Sequence, residues 1–150
     1  MSVDYDIHFA GDLAIDELTA VLVGSYNVER ERIYVGDPHQ LYRHPGPDPY
    51  VMIERISSVG FGIEFQGDPV FARANGDIPE RDLAAELCRA LNTSALLSTA
   101  GRPPDHWTLV GPAGDHGEVL VDGDEADEGR LIVVRALEPI SSRPDLPAAP

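Results

Sequence analysis

Two segments of the chain alternate strictly between apolar and polar residues, and they dictate a sheet that buries one face. In Asp4-Tyr5-Asp6-Ile7-His8-Phe9, Tyr5, Ile7 and Phe9 share one side and Asp4, Asp6 and His8 the other. In residues 61–66, Phe61, Ile63 and Phe65 alternate with Gly62, Glu64 and Gln66. Successive side chains of a strand point to opposite faces, so a period of two is the mark of a half-buried strand.

Helical patterns interrupt the strands twice. The first follows Gly11-Asp12, with Asp12 the expected N-cap and Asp16 and Glu17 placed at the positive end of the helix dipole. Ile15, Leu18, Val21 and Leu22 repeat along it at helical spacing. The second opens at Asn75-Gly76-Asp77, where Asp77 and Glu80 have capping-box spacing around Pro79. Leu83, Leu87, Ala90 and Leu91 form its buried stripe, Ala84 and Cys88 lie beside it, and Asn92 is the expected stop.

Further strands are expected near residues 32–35, 50–56, 70–74, 95–97, 107–110, 118–121 and 131–134. Residues 57–60 form a hairpin-length connection. Segment 36–49, with its four prolines and two glycines, is expected to be an irregular loop. Leu131-Ile132-Val133-Val134 is apolar throughout, which predicts a central strand. The order is β-α-β-β-β-β-α-β-β-β-β. This reads as an α+β fold, a single domain over 1–140 with a mainly antiparallel sheet and both helices on one face. Residues 141–150 read as a Pro/Ala-rich flexible tail.

Charge then limits what such a domain binds. The chain carries 26 acidic residues against 11 basic ones, a net charge of -15, and 43% of it is hydrophobic. That apolar content separates it from disordered acidic chains. Every basic residue is an arginine, which a G- and C-rich coding preference explains; the acidic excess has no such explanation. A strongly negative surface repels nucleic acid and anionic lipid and attracts basic proteins. The single cysteine, Cys88, permits neither an internal disulfide nor a cysteine zinc quartet, and is expected to be a buried, unreactive thiol. No basic, apolar leader is visible at the N-terminus, and no apolar run reaches the roughly 20 residues of a membrane span. The expected compartment is the cytosol.

No motif for catalysis stands out. There is no Gly-x-Ser-x-Gly elbow and no phosphate-binding glycine loop followed by lysine. His39 and His44 share a loop with Asp37 and Asp48, but their spacing fits no zinc template; His106 and His116 read as incidental. No catalytic residue, metal ligand or cofactor is assigned. The densest charge is Asp122-Gly123-Asp124-Glu125-Ala126-Asp127-Glu128-Gly129. Three readings of it are open: a solvated hairpin turn, a contact patch for a basic partner, and a calcium loop. The last lacks the central glycine and flanking helices of an EF-hand.

Three features together form a pattern: the helix Asp82-Leu83-Ala84-Ala85-Glu86-Leu87, the short strand Ser94-Ala95-Leu96-Leu97, and the aromatic-led hairpin Trp107-Thr108-Leu109-Val110-Gly111-Pro112-Ala113-Gly114 with its acidic return strand. This pattern resembles immunity proteins of actinobacterial polymorphic-toxin systems. It extends over most of residues 3–137 and carries over no site residue. The resemblance implies a stoichiometric inhibitor of a cognate toxin. An acidic inhibitor of a basic toxin gains association rate by electrostatic steering. Asp122, Asp124, Glu125, Asp127 and Glu128 are the candidate contact carboxylates, with Tyr42, Tyr50 and Trp107 as aromatic anchors. The alternatives are a secretion chaperone or adaptor that binds a partner protein, and a small enzyme with an unrecognised site.

Overall fold

The alternating segments pair with each other in the computed structural model, which describes residues 3–99 and 101–147. Strand β1 (Tyr5–Phe9) lies antiparallel to β4 (Ile63–Gly67), with Ile7 opposite Phe65 and His8 opposite Glu64. Matching their periods puts Tyr5, Ile7, Phe9, Ile63 and Phe65 on one side, all buried, whereas Phe61, which precedes β4, breaks the expected alternation and joins the opposite core. The remaining strands are β2 (Ile33–Val35), β3 (Val51–Arg55), β5 (Ala95–Ser98), β6 (His106–Val110), β7 (His116–Val121) and β8 (Val133–Ala136). The sheet runs β2-β3-β4-β1-β5-β6-β7-β8 and is antiparallel except between β2 and β3. The α+β class and the mainly antiparallel sheet follow the expectation.

Helices α1 (Ile15–Ser25), α2 (Pro69–Ala74) and α3 (Glu80–Leu91) share a core with the apolar side of β1 and β4. Leu18 and Leu22 of α1 and Leu83 and Leu87 of α3 are fully buried there. The expected stripes therefore hold, except that Ala90 is exposed. Cys88 is buried and free, and burial, aided by the charge of Asp115, pushes its thiol up to about 12. Asn92 ends α3 in the left-handed conformation.

Several expectations need correction; Asp12 does not cap α1, whose N-cap position is Ala14 with no side-chain bond. Residues 70–74 are helix α2, not a strand: Asp68 caps it by accepting from the Phe71 N–H at 2.9 Å, and Pro69 occupies its first turn. The acidic run is not a bare hairpin turn but a short helix, α4 (Gly123–Asp127), capped by Asp122. Segment 36–49 contains a 3-10 helix at Pro38–Arg43. Finally, the apolar run 131–134 does not form a central strand. Leu131 and Ile132 precede β8, which is the sheet's edge, and Val134 is exposed. A short apolar run reads alike in a central strand and in a segment laid over a sheet face. Here Leu131 and Val133 pack over the second face with Ala126 of α4.

That second face, away from α1 and α3, has its own core of Phe61, Leu96, Leu109, Val119, Val121, Ala136 and Ile140. Chain segment 141–147, read from the sequence as a frayed tail, folds back over it. The Ala136 N–H donates to the Pro147 carbonyl, the Ser142 N–H donates to Asp115, and Leu146 packs on the apolar cluster. Residues 148–150 lie outside the described residues. The turn before β4 is wedged beneath this cover. Phe61 N–H donates to the Leu131 carbonyl at 3.0 Å, and a Cβ on Gly62 would fall 1.8 Å from the Ser57 carbonyl oxygen. Only glycine fits at that approach.

Candidate functional site

The polar residues of the alternating strands meet on the second face. One cross-strand row runs Glu54 of β3, Glu64 of β4, His8 of β1, Leu96 of β5 and Leu109 of β6. The next row brings Met52, Gln66 and Asp6 together. Helix α4 and the C-terminal segment bury the apolar end of this face, whereas Glu54, Glu64, Gln66, Asp6 and His8 are only half-buried.

At the boundary between the two ends stands a tight cluster. His8 Nε2 lies 3.4 Å from Asp6 Oδ1 and 3.5 Å from Glu64 Oε2. The His8 side chain is only 13% exposed. Its ring stands edge-on to Trp107 with centroids 5.3 Å apart, so the indole walls one side. Strand β1 is fixed from below as well: the Asp6 N–H donates to Glu80 Oε2 at 2.8 Å. This bond replaces the expected capping box, because Glu80 turns to the sheet and the N-cap position of α3 is Pro79, with no side-chain cap.

Packing several carboxylates into a partly desolvated space forces their proton affinities apart. Burial, a hydrogen bond to Asp6 and the Asp6 charge push Glu64 up to about 7. Burial also pushes on Asp6, but the hydrogen bond and charge of His8 and the hydrogen bond with Glu64 outweigh it and hold Asp6 below the usual carboxylate range. Glu80 is raised by burial, and Glu54 by burial and by Asp37. Asp6 and Glu64 thus form a carboxylate–carboxyl pair around an imidazole. Such a pair can hold or pass a proton near neutral pH, or bind a cation.

Depressions flank the cluster on both sides. One is floored by Met52, Glu54, Glu64 and Gln66 and edged by Gly36 and Pro38. The other, a groove of about 230 Å³, is lined by His8, Ile56, Phe61, Trp107, Ala126 and Leu131, among others. A larger cavity of about 430 Å³ lies within the folded-back segment, among Ala136, Ile140, Pro144 and Leu146, and shares no residue with the cluster.

The sequence-derived contact residues do not form one patch. Tyr42 is 77% exposed, in the 3-10 helix that follows edge strand β2. Tyr50 is half-buried under the Arg32 guanidinium, 4.5 Å from its ring centroid. Both belong to the β2–β3 edge. The acidic helix lies between β7 and β8 at the other edge. There, Asp122 is consumed as the cap, accepting from the Asp124 and Glu125 N–H groups, and Glu125 pairs with Arg130. Asp124, Asp127 and Glu128 remain exposed. Trp107 is the one candidate aromatic that adjoins this helix, through the groove it shares with Ala126 and Gly129. Among the described residues no ligand set gathers around His39 and His44; Asp37 accepts from the His39 N–H, and His44 Nε2 contacts the Glu31 carbonyl.

Asp6, His8 and Glu64 were not singled out from the sequence as a group. The signal was present in the polar positions of the two alternating strands, but joining them requires the β1–β4 pairing. The chain matches no protein-family model, no curated protein and no solved structure.

Proposed function

We propose that this protein is an acidic cytosolic inhibitor of the immunity type, which neutralises a basic toxin domain by stoichiometric binding. The observation that carries the reading is the excess of outward carboxylates over arginines, five of which (Arg32, Arg55, Arg102, Arg130 and Arg143) are committed to their own chain. Arg55 donates to the Gly11 and Leu13 carbonyls, Arg32 donates to the Asp48 carbonyl, and Arg102, Arg130 and Arg143 pair with Glu118, Glu125 and Asp145. Asp124, Asp127 and Glu128 carry unneutralised charge beside a groove walled by Trp107. Isolated surface carboxylates contribute little to stability. Their value lies in steering a cationic partner and in filling a cleft that binds phosphates. Among the described residues no helix is long and apolar enough to cross a membrane.

The test is kinetic. The protein encoded immediately upstream is co-expressed with this chain and association is followed across a salt series. Reversing Asp124, Asp127 and Glu128 to lysine is expected to slow association and flatten its salt dependence. An unchanged rate at low salt contradicts the reading.

One observation favours a second reading, a small enzyme. The Asp6–His8–Glu64 cluster has the acid–base character that proton transfer needs, and it opens beside a groove. On that reading Glu64→Gln removes a turnover that charge reversal of the α4 carboxylates leaves intact; on the first, that charge reversal slows toxin association and Glu64→Gln leaves it unchanged.

A further inference from the structure

The geometry points to Asp6, His8 and Glu64 as a binding site for one divalent first-row transition-metal ion, held by Asp6 Oδ1, His8 Nε2 and Glu64 Oε2. Among the described residues this is the group of His, Cys, Asp and Glu side chains whose ligand atoms converge, all within 4.8 Å of one another.

Spacing supports the assignment. Metal–ligand bonds of about 2.1 Å at tetrahedral angles set ligand atoms roughly 3.4 Å apart. The imidazole nitrogen lies 3.4 Å and 3.5 Å from the two carboxylate oxygens, close to that separation, and all three ligand atoms lie within 4.8 Å of one another. The strand ladder presets these distances, because His8 is directly opposite Glu64 and Asp6 shares its face one pleat earlier.

The donor set selects the class of ion. One imidazole with two carboxylates suits Zn²⁺ and its first-row neighbours, whereas Ca²⁺ takes six to eight oxygens and Mg²⁺ an octahedron of oxygens and water. Asp6 Oδ1 is closed to solvent and its contact with the His8 imidazole is long, at 3.4 Å, so a cation between the two would satisfy it better. The α4 run offers no comparable set, since Asp122 and Glu125 are already engaged. Three protein ligands leave one position for water or for a donor atom of a molecule in the neighbouring groove, which His8 also lines.

Trp107 is the only tryptophan and lies 5.3 Å from the His8 ring, so it reports occupancy directly. Titrating the metal-free full chain with Co²⁺ is expected to quench Trp107 with a stoichiometry of one ion per chain, and Zn²⁺ to displace the cobalt. Loss of an outer-sphere partner already weakens metal sites about 10–100-fold, so Asp6→Asn and Glu64→Gln, which keep side-chain shape, should each weaken Zn²⁺ by at least about 10-fold. Asp124→Asn should leave Zn²⁺ binding unchanged. Absence of saturable quenching in the unmodified protein overturns the site. So does Zn²⁺ affinity that Asp6→Asn and Glu64→Gln leave intact, or that Asp124→Asn lowers as much as they do.

Discussion

Along the row Glu54, Glu64, His8, Leu96, Leu109, one sheet face changes character midway. At the β5–β6 end, Leu96 and Leu109 are fully buried beneath Leu131, Ala126 and Ile140. At the β3–β4–β1 end, carboxylates and an imidazole crowd into a half-buried space where apolar residues would pack without penalty. The strands are continuous through both ends, so backbone pairing does not distinguish them. The difference teaches that side chains and their cover, not the strand ladder, set the character of each end. Partly desolvated carboxylates whose proton affinities are driven apart, set beside a groove, are candidates for a functional site.

The largest effect that can break this contrast is a truncation series. Leu96→Ala should cost about 2–5 kcal/mol, because it removes a fully buried side chain from a closed cluster. Gln66→Ala, at the acidic end, should cost less than about 1 kcal/mol. Urea denaturation measures both, and equal losses would erase the distinction.

A pH series sharpens it. The folded protein holds Glu64 near 7 against an ordinary value of 4.5, so between those values the folded state binds more protons than the unfolded state. Stability contributed by this group is full below about 4.5 and declines as pH rises through about 7, by on the order of 2 kcal/mol. Glu64→Gln should therefore lose less stability than the unmodified protein between pH 5 and pH 8. Urea midpoints at the two pH values check this, and parallel losses would contradict it.

The third effect concerns the cover itself. Asp122→Ala removes the cap of α4 and should cost about 1 kcal/mol. Because Ala126 and Gly129 line the groove with Trp107, the emission of Trp107 should shift with it. The smallest effect is expected of Asp124→Asn, Asp127→Asn and Glu128→Gln on this helix, within about 0.5 kcal/mol each, since these groups are exposed.

Local pattern made much of the fold legible. The period-two segments gave β1 and β4, and the helical stripes gave α1 and α3, because each pattern is set by the face a residue must bury. Two of the elements that departed from expectation did so for identifiable reasons. Asp68-Pro69 carried the N-cap and first-turn proline of α2, but the apolar residues after it also suit a strand. Of the run 131–134, Leu131 and Val133 are apolar because they pack on the second-face core, a demand local periodicity does not separate from burial inside a central strand. The site was half legible. Asp6 and His8 stood on the polar side of one strand and Glu64 on the polar side of another. Their meeting depends on long-range pairing, and the turn of Glu80 away from its helix depends on where α3 packs.

The central claim is that Asp6 and Glu64 share a partly desolvated space around His8, and carboxyl-carbon NMR titration tests it most directly. The account predicts that Glu64 titrates near 7 and Asp6 below the usual aspartate range, with Asp6→Asn bringing Glu64 back toward 4.5. Glu64 titrating in the ordinary glutamate range in the unmodified protein would contradict it.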